Sequence, residues 1–599
     1  MTSKPAAGFL HGRLWRPPAV VLLASLAVGC DDLTAFSGTS TAAEVGLGQS
    51  ELRTAAIDAP DAIGDGLAAS YLAGRIALDD GDLRLAADNF GNALERDPDN
   101  TELRRQVLTL RIGVGDFPAA LELAETLLER DPDFGESRLL LAFQAVKNGD
   151  FTEAELLLDG IGERELASLP KPILDAWVAF GSGDSERGRA MLADSNANDG
   201  LERIERYHSA LMLALDGRVA EGADWLRPLV DPDNGNPVRL VIALAALDAQ
   251  SGDAAGAEQL VRRQLEINPD DIVLETALQE LESGNVPPLP VDDASSGMAD
   301  ALLSLAGALD AQNASAQALV LARLASYLEP ANGEVALLIA QINLSQNNAA
   351  EAVHVIEALP AQSVHAWDGR LVGAQALATL DREDEALTRL DAMAAERPER
   401  IEALVAKGDI QRRLERYGDA ERSYDRALQR VPEIQVGHWP LLYARGITRE
   451  RTDRWPEAEA DLLAALELEP DQPLVLNYLG YSWVDQGLNL SEAEAMLKRA
   501  VELRPDDGYI VDSLGWAYFR LKRYDEAVRY LERAVELRPD DPVINDHLGD
   551  AYWQVGRQRE ARFQWERALT FEPEEDEVAL IEEKLQRGLR ASELDPGRG

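Results

Sequence analysis

The chain has 599 residues, 46% hydrophobic and 27% charged, which is the composition of a folded protein but too long for one compact core. Its 106 acidic residues against 58 basic ones give a net charge of −48, and so acidic a chain repels the phosphates of nucleic acids. The only cysteine is Cys30 and the six histidines show no metal-ligand spacing, so the sequence predicts neither an internal disulfide nor a metal site.

The first 29 residues have the pattern of an export signal. Lys4, Arg13 and Arg16 precede a mostly apolar run at residues 19–28. A basic stretch, an apolar run and a small residue are typical of a cleaved secretory signal. The run is too short to span a bilayer, which needs about 20 residues. We therefore predict that residues 1–29 are a signal peptide.

Cys30 follows the apolar run directly. The segment Leu26-Ala27-Val28-Gly29-Cys30 resembles the lipobox of bacterial lipoproteins, although Ala27 stands where leucine is usual. The resemblance implies cleavage before Cys30 and attachment of lipid to it. The alternative is an ordinary cleaved signal with an incidental cysteine.

Residues 30–66 are interpreted as the lipidated cysteine and a flexible tether, because residues 33 to 60 are rich in Ser, Thr, Ala and Gly. The sequence thus predicts an exported, membrane-anchored lipoprotein that faces the periplasm and touches the membrane only through its lipid. Asp31 and Asp32 follow the cysteine but do not decide between the inner and the outer membrane.

A period of 34 residues begins after the tether. Gly-Asp pairs recur at Gly81, Gly115, Gly149 and Gly183 in steps of 34. A fixed period of 20–50 residues is the signature of a solenoid, in which each repeat is one small structural unit. The period therefore predicts an extended array of stacked repeats rather than several separate globular domains.

The second half shows the content of one repeat. Leu514, Gly515 and Tyr518 share one face of a first helix, Ala527 follows on a second helix, and Pro539 ends the pair. This pattern resembles the tetratricopeptide repeat, with Leu531 where an aromatic residue is commoner. The resemblance implies an all-α, right-handed α-solenoid of helical hairpins that binds other proteins.

The first small residue of each second helix marks about 14 repeats. The markers are Ala86, Ala120, Ala154, Gly188, Gly222, Ala257, Ala318, Ala352, Ala386, Ala420, Ala458, Ala493, Ala527 and Ala561. The match is strongest over 401–573 and is weakened at Gly188 and Gly222, where glycine replaces alanine.

One gap interrupts the markers, between Ala257 and Ala318. It contains a Pro- and Ser-rich stretch at 283–297, which we interpret as a linker. The sequence then predicts an N-terminal array at 67–282, a C-terminal array at 298–573, and a capping helix and tail at 574–599. Leu580, Ile581 and Leu585 are expected to cover the exposed end of the last repeat.

The motifs of common enzymes are missing. No phosphate-binding loop, nucleophile elbow, zinc-protease helix or dinucleotide fingerprint occurs. We predict no catalytic residue, no cofactor and no metal, and the chain is not interpreted as an enzyme.

Ligands of the resembled family bind on the concave surface, which the first helix of each repeat lines. The matching stripe of the three best repeats is predicted to be an exposed protein-binding groove made of Asn477, Tyr481, Asp512, Trp516, Phe519, Asp546, Asp550 and Trp553. The alternative for Trp516 and Trp553 is that they only pack between helices. Because aspartates stand where relatives that clamp a carboxylate use basic residues, partner segments that are apolar, basic or both are favoured.

These features lead to one functional hypothesis and two alternatives. The hypothesis is a protein–protein interaction scaffold of the bacterial cell envelope. The first alternative is a regulatory subunit that docks onto a separate envelope enzyme. The second is a cytoplasmic co-chaperone adaptor, which requires that the N-terminus is not a signal.

Overall fold

The computed structural model describes residues 66–162, 166–194, 202–231, 235–268, 271–571 and 573–589. These residues form thirty α-helices and no strand, so the prediction of an all-α solenoid is confirmed. The predicted signal peptide, Cys30 and nearly all of the tether lie outside the described residues. None of the helices in the described part has the length and hydrophobicity needed to cross a bilayer.

The chain divides into two compact units, and the division falls between Ala392 and Met393. The helices that begin in the N-terminal unit are α1 (Leu67–Asp79), α2 (Leu83–Arg96), α3 (Thr101–Gly113), α4 (Phe117–Arg130), α5 (Gly135–Lys147), α6 (Phe151–Asp159), α7 (Lys171–Gly181), α8 (Ser185–Asp194), α9 (Glu202–Leu215), α10 (Val219–Leu226), α11 (Val238–Gln250), α12 (Ala254–Ile267), α13 (Ile272–Glu282), α14 (Ala294–Ala311), α15 (Ser315–Leu328), α16 (Gly333–Ser345), α17 (Ala349–Glu357), α18 (Ala366–Thr379) and α19 (Glu383–Glu396).

The C-terminal unit contains the remaining helices. They are α20 (Glu402–Arg413), α21 (Tyr417–Leu428), α22 (Trp439–Glu450), α23 (Trp455–Leu468), α24 (Pro473–Gln486), α25 (Leu490–Leu503), α26 (Gly508–Arg520), α27 (Tyr524–Leu537), α28 (Pro542–Gln554), α29 (Gln558–Thr570) and α30 (Glu575–Arg587). In both units the helices follow one another as pairs joined by short turns, except α13 and α30, which stand alone.

The Gly-Asp pairs of the sequence make the turn inside each early hairpin. Gly81 and Gly115 have φ values of +81° and +73°, a left-handed conformation that glycine adopts without steric cost. The aspartate that follows caps the second helix, as Asp82 does by accepting the backbone N–H of Leu85 at 2.9 Å. In later repeats the corner keeps its positive φ with other residues, such as Asn313 and Lys522. A search for glycine alone therefore misses them.

All fourteen marker residues lie on second helices, and all are buried. The two glycines among them mark closer helix crossings. A Cβ atom on Gly188 would lie 2.5 Å from the carbonyl oxygen of Ala176, and one on Gly222 would lie 2.9 Å from that of Ala210. The hairpins α7–α8 and α9–α10 are therefore formed as predicted, and glycine is required there because the helices approach too closely for alanine.

The Pro- and Ser-rich stretch differs from its prediction in two ways. Residues 285–293 carry no helix, but α14 already begins at Ala294, capped by reciprocal hydrogen bonds between Asp293 and Ser296. The boundary between the two compact units also lies about a hundred residues beyond this stretch, within α19. The boundary is not at the stretch because α14 and α15 pack against earlier helices of the N-terminal unit, as described below.

Candidate functional site

We call the surface formed by the first helices of successive hairpins the first-helix face. In the N-terminal unit this face is occupied by the chain itself. Helix α14 packs against α5, α7 and α9, and α15 packs against α3 and α5. The hairpin α14–α15 thus covers four successive first helices, which is why it belongs to this unit.

Trp177 on α7 is the centre of this contact. It has no exposed surface, and Gly297 on α14 lies so close to its ring that no Cβ atom fits there. Its indole N–H donates to Nδ1 of His208 at 3.2 Å. Burial lowers the pKa of His208 to about 4, so the imidazole is neutral near pH 7 and can accept this hydrogen bond.

Polar side chains anchor the hairpin at both ends. Arg239 on α11 lies 2.9 Å from Oδ1 of Asp300 on α14 and 3.0 Å from Oε1 of Glu334. Arg323 on α15 donates to the carbonyl oxygen of Gly113, at the end of α3, at 2.9 Å. The same guanidinium also pairs with the carboxylate of Glu351 at 2.7 Å, so the buried charge of Arg323 has a counter-charge. The first-helix face over α3, α5, α7 and α9 is therefore filled by an internal contact.

In the C-terminal unit the predicted groove residues of α26 are buried. Asp512 contacts Nδ1 of His547 with both oxygens at 3.0 Å. Trp516 stacks on His547 and on Phe519, with ring centroids 3.9 and 4.6 Å apart. Burial opposes the charge on His547, but Asp512 outweighs it and raises the pKa of the imidazole. The predicted exposure of Asp512, Trp516 and Phe519 was wrong. His547 of α28 packs on Asp512 and Trp516, and Phe519 packs between Trp516 and Tyr524.

The predicted groove residues of α28 are covered by the last helix, α30. Lys584 lies 2.6 Å from Oδ2 of Asp546 and 2.8 Å from Oδ2 of Asp550, and both carboxylates are buried. Trp553 is half-buried, and Gly588 lies against its ring with no space for a Cβ atom. The predicted exposure of Asp546 and Asp550 was also wrong, because α30 takes the place that the first helix of a further repeat would have.

Asn477 and Tyr481 on α24 are half-buried rather than covered. The carboxamide oxygen Oδ1 of Asn477 has no hydrogen-bond donor among the described residues. Burial raises the pKa of Tyr481 above its ordinary value, so its hydroxyl remains protonated near neutral pH. Of the eight predicted residues, these two therefore lie on the part of the first-helix face that is not covered by α28 or α30.

The sequence analysis missed two tyrosines beside them. Tyr443 on α22 and Tyr478 on α24 are half-buried, with their rings edge to face and their centroids 5.8 Å apart. The hydroxyl of Tyr478 donates to Glu450 at 3.0 Å, and burial raises the pKa of Tyr443 to about 12. A signal was available, since Tyr443 precedes Gly446 by three residues, as Asn477 precedes Gly480.

We call Tyr443, Tyr478 and Tyr481 the tyrosine row. Charged side chains of both signs lie around it, namely the arginines Arg412, Arg451 and Arg520 and the acids Glu450, Asp485 and Asp512. Arg412 donates to Oη of Tyr424 at 3.3 Å and lies 3.6 Å from Asp409, so its charge is only loosely paired. The row thus combines aromatic surface, hydroxyl groups and charges of both signs in equal number.

The fold and this face define a protein built from repeated helical hairpins. Tetratricopeptide-repeat models match residues 111–168, 371–433, 443–507 and 511–541. The hairpins within these four segments therefore match tetratricopeptide repeats, in agreement with the sequence pattern.

Similar solved structures include the Cut9–Hcn1 hetero-tetramer of the APC/C, with 17% identity, a TM-score of 0.39 and coverage of 90% of this chain and 99% of that one. Yeast Tom70 has 15% identity and a TM-score of 0.33, covering 88% and 97%. A tetratricopeptide repeat protein from Parabacteroides merdae has 16% identity and a TM-score of 0.33, covering 42% and 97%. No curated protein matches the sequence.

Proposed function

We propose that this chain is an exported, lipid-anchored scaffold of a bacterial cell envelope, which binds partner proteins at the tyrosine row of its C-terminal unit. The observation that carries the binding site is the contrast between the two first-helix faces. In the N-terminal unit α14–α15 covers four successive first helices, whereas Tyr443, Tyr478 and Tyr481 keep part of their surface exposed. Tyrosine offers a large rigid surface and a polar hydroxyl, a combination enriched at protein interfaces.

The chemistry of the partner follows from the groups that the tyrosine row presents. The acids that favoured a basic partner, Asp512, Asp546 and Asp550, are already paired with His547 and Lys584. Around the tyrosine row three arginines and three carboxylates balance one another. A tyrosine ring packs on apolar side chains, and a protonated phenol donates a hydrogen bond. We therefore favour a partner segment that carries apolar side chains and hydrogen-bond acceptors, in place of the basic segment.

Removal of the tyrosine rings is expected to weaken partner binding. Tyr443→Ala and Tyr478→Ala should each cost about 2 kcal/mol or more of binding free energy where the ring anchors a buried contact. Photocrosslinking in cells from position 443 identifies the partner, and calorimetry with that partner then measures affinity. Tyr71→Ala, at an exposed tyrosine of the N-terminal unit, is the matched control and should leave affinity unchanged. Unaltered affinity of both row variants would remove the row as the binding site.

The same crosslinking separates the scaffold from the alternatives. Several structural partners recovered from the envelope support a scaffold. A single hydrolase or synthase supports a regulatory subunit, and cytoplasmic chaperones would support an adaptor.

The anchor is tested at Cys30. Cys30→Ser should abolish labelling by palmitate and release the protein from membranes, because several acyl chains are needed for stable attachment, at about 0.8 kcal/mol per buried methylene. Membrane fractionation and metabolic labelling measure this. As the chain has one cysteine, no other thiol can take the lipid. A wild-type protein that takes up no palmitate, with a mutant that fractionates unchanged, would rule lipidation out.

A further inference from the structure

Helix α30 is attached to the last repeat by few side chains. Among its described residues only the side chains of Ile581 and Lys584 are buried, Leu585 is half-buried, and Leu580 is 45% exposed. The second helix α27 instead buries five side chains along its length. Apolar burial therefore holds α30 less firmly than the helices inside the array.

The attachment depends on a buried ionic contact. The ammonium of Lys584 lies between Asp546 and Asp550 of α28, at 2.6 and 2.8 Å, and these three side chains are all about nine-tenths buried. Without the ammonium, two carboxylates would remain in a poorly hydrated site with little compensation. Trp565 donates its N–H to Asp550 at 2.9 Å and fixes that carboxylate in place. Asp546 and Asp550 thus form a preformed site that requires a cation.

The contact between α28 and α30 leaves only a small cleft. Its volume is about 20 Å³, room for about one water molecule, and it is lined by Pro542, Val543, Asp546, Glu577, Leu580, Ile581 and Lys584. Oδ1 of Asp546 is buried beside it and accepts no hydrogen bond within the described residues. Buried carboxylate oxygens normally accept a hydrogen bond, so this oxygen is an acceptor that α30 leaves unused. A helix with a second donor beside its lysine would satisfy it.

We propose that Asp546 and Asp550 form a lysine socket, which α30 occupies in cis and which a basic amphipathic helix of a partner protein occupies in its place. The recognised helix carries an aliphatic residue three positions before its lysine, as Ile581 precedes Lys584. The chain has a net charge of −48, which favours a basic helix over α30 with its many glutamates. The socket lies on α28 and is independent of the tyrosine row on α22 and α24.

The test uses the full chain and a fluorescent peptide with the sequence of residues 575–589 in which every Asp and Glu is replaced by Gln, so that the peptide is basic like the proposed partner helix. In the Lys584→Gln variant the internal lysine is lost and the socket is left to the peptide. We expect anisotropy to show at least tenfold tighter binding to this variant than to the unaltered chain. A peptide with glutamine at the position of Lys584 should not bind. Asp546→Asn with Asp550→Asn, in the Lys584→Gln chain, should weaken binding at least tenfold.

Three results would overturn the proposal. The first is a folded Lys584→Gln chain, shown by circular dichroism, that takes up no peptide, since α30 is then only a fixed cap. The second is a concentration-dependent dimer that the two asparagine substitutions abolish, since the occupant is then a second copy. Where the variant does not fold, hydrogen exchange of the unaltered chain decides. Faster exchange in α30 than in α28 is expected, whereas exchange of both helices at one rate would show that α30 does not leave alone.

Discussion

Trp516→Ala is expected to lower the local free energy of unfolding of the C-terminal unit by about 3–5 kcal/mol, the usual cost of removing a buried tryptophan. Trp516 stacks between His547 and Phe519, so its loss leaves a cavity between α26 and α28. Native-state hydrogen exchange measures the effect helix by helix. Because a repeat contacts mainly its neighbours, the loss of protection should concentrate in α26–α28 and leave α1–α12 unchanged.

Phe563→Ala provides the matched control. Phe563 lies on α29 of the same unit and is 57% exposed, so its removal should change stability by no more than about 0.5 kcal/mol. The opposite pattern for Trp516→Ala, normal protection with reduced partner binding, would return Trp516 to the binding surface that the sequence predicted.

Trp177→Ala should destabilise the N-terminal unit to a similar extent, about 3–5 kcal/mol, and should do so at a distance along the chain. Trp177 contacts Gly297 on α14 and holds His208 through its N–H. Hydrogen exchange is therefore expected to show loss of protection in α7 and in α14, which are separated by more than a hundred residues. A linear array in which each repeat contacts only its sequence neighbours predicts no effect at α14.

Trp225→Ala is the control for this variant. Trp225 lies on α10 of the same unit and is 36% exposed, so its removal should leave α14 protected. Loss of protection in α7 and α8 alone after Trp177→Ala would show that α14–α15 does not rest on the first-helix face.

The sequence by itself determined the helical hairpins and their number. This information is local, because the small residue that lets two helices cross and the residue that turns the corner lie within one repeat. Gly515 of α26 lies against Leu531 of α27, and Ala527 of the same hairpin is fully buried, so a pattern of 34 residues was sufficient to locate them. The same reasoning explains why Tyr443 could have been found from its distance to Gly446.

Only the tertiary structure decided which parts of the first-helix face remain open. Exposure depends on what packs above a residue, and for Trp177 that is α14, while for Asp550 it is α30. Neither contact can be recognised within a single repeat, because no sequence motif in α14 or α30 indicates which helix it will contact. The periodic stripe of Asp512, Trp516 and Asp550 was therefore recognised correctly as lying on first helices, but its burial follows from long-range packing that a repeat pattern does not encode.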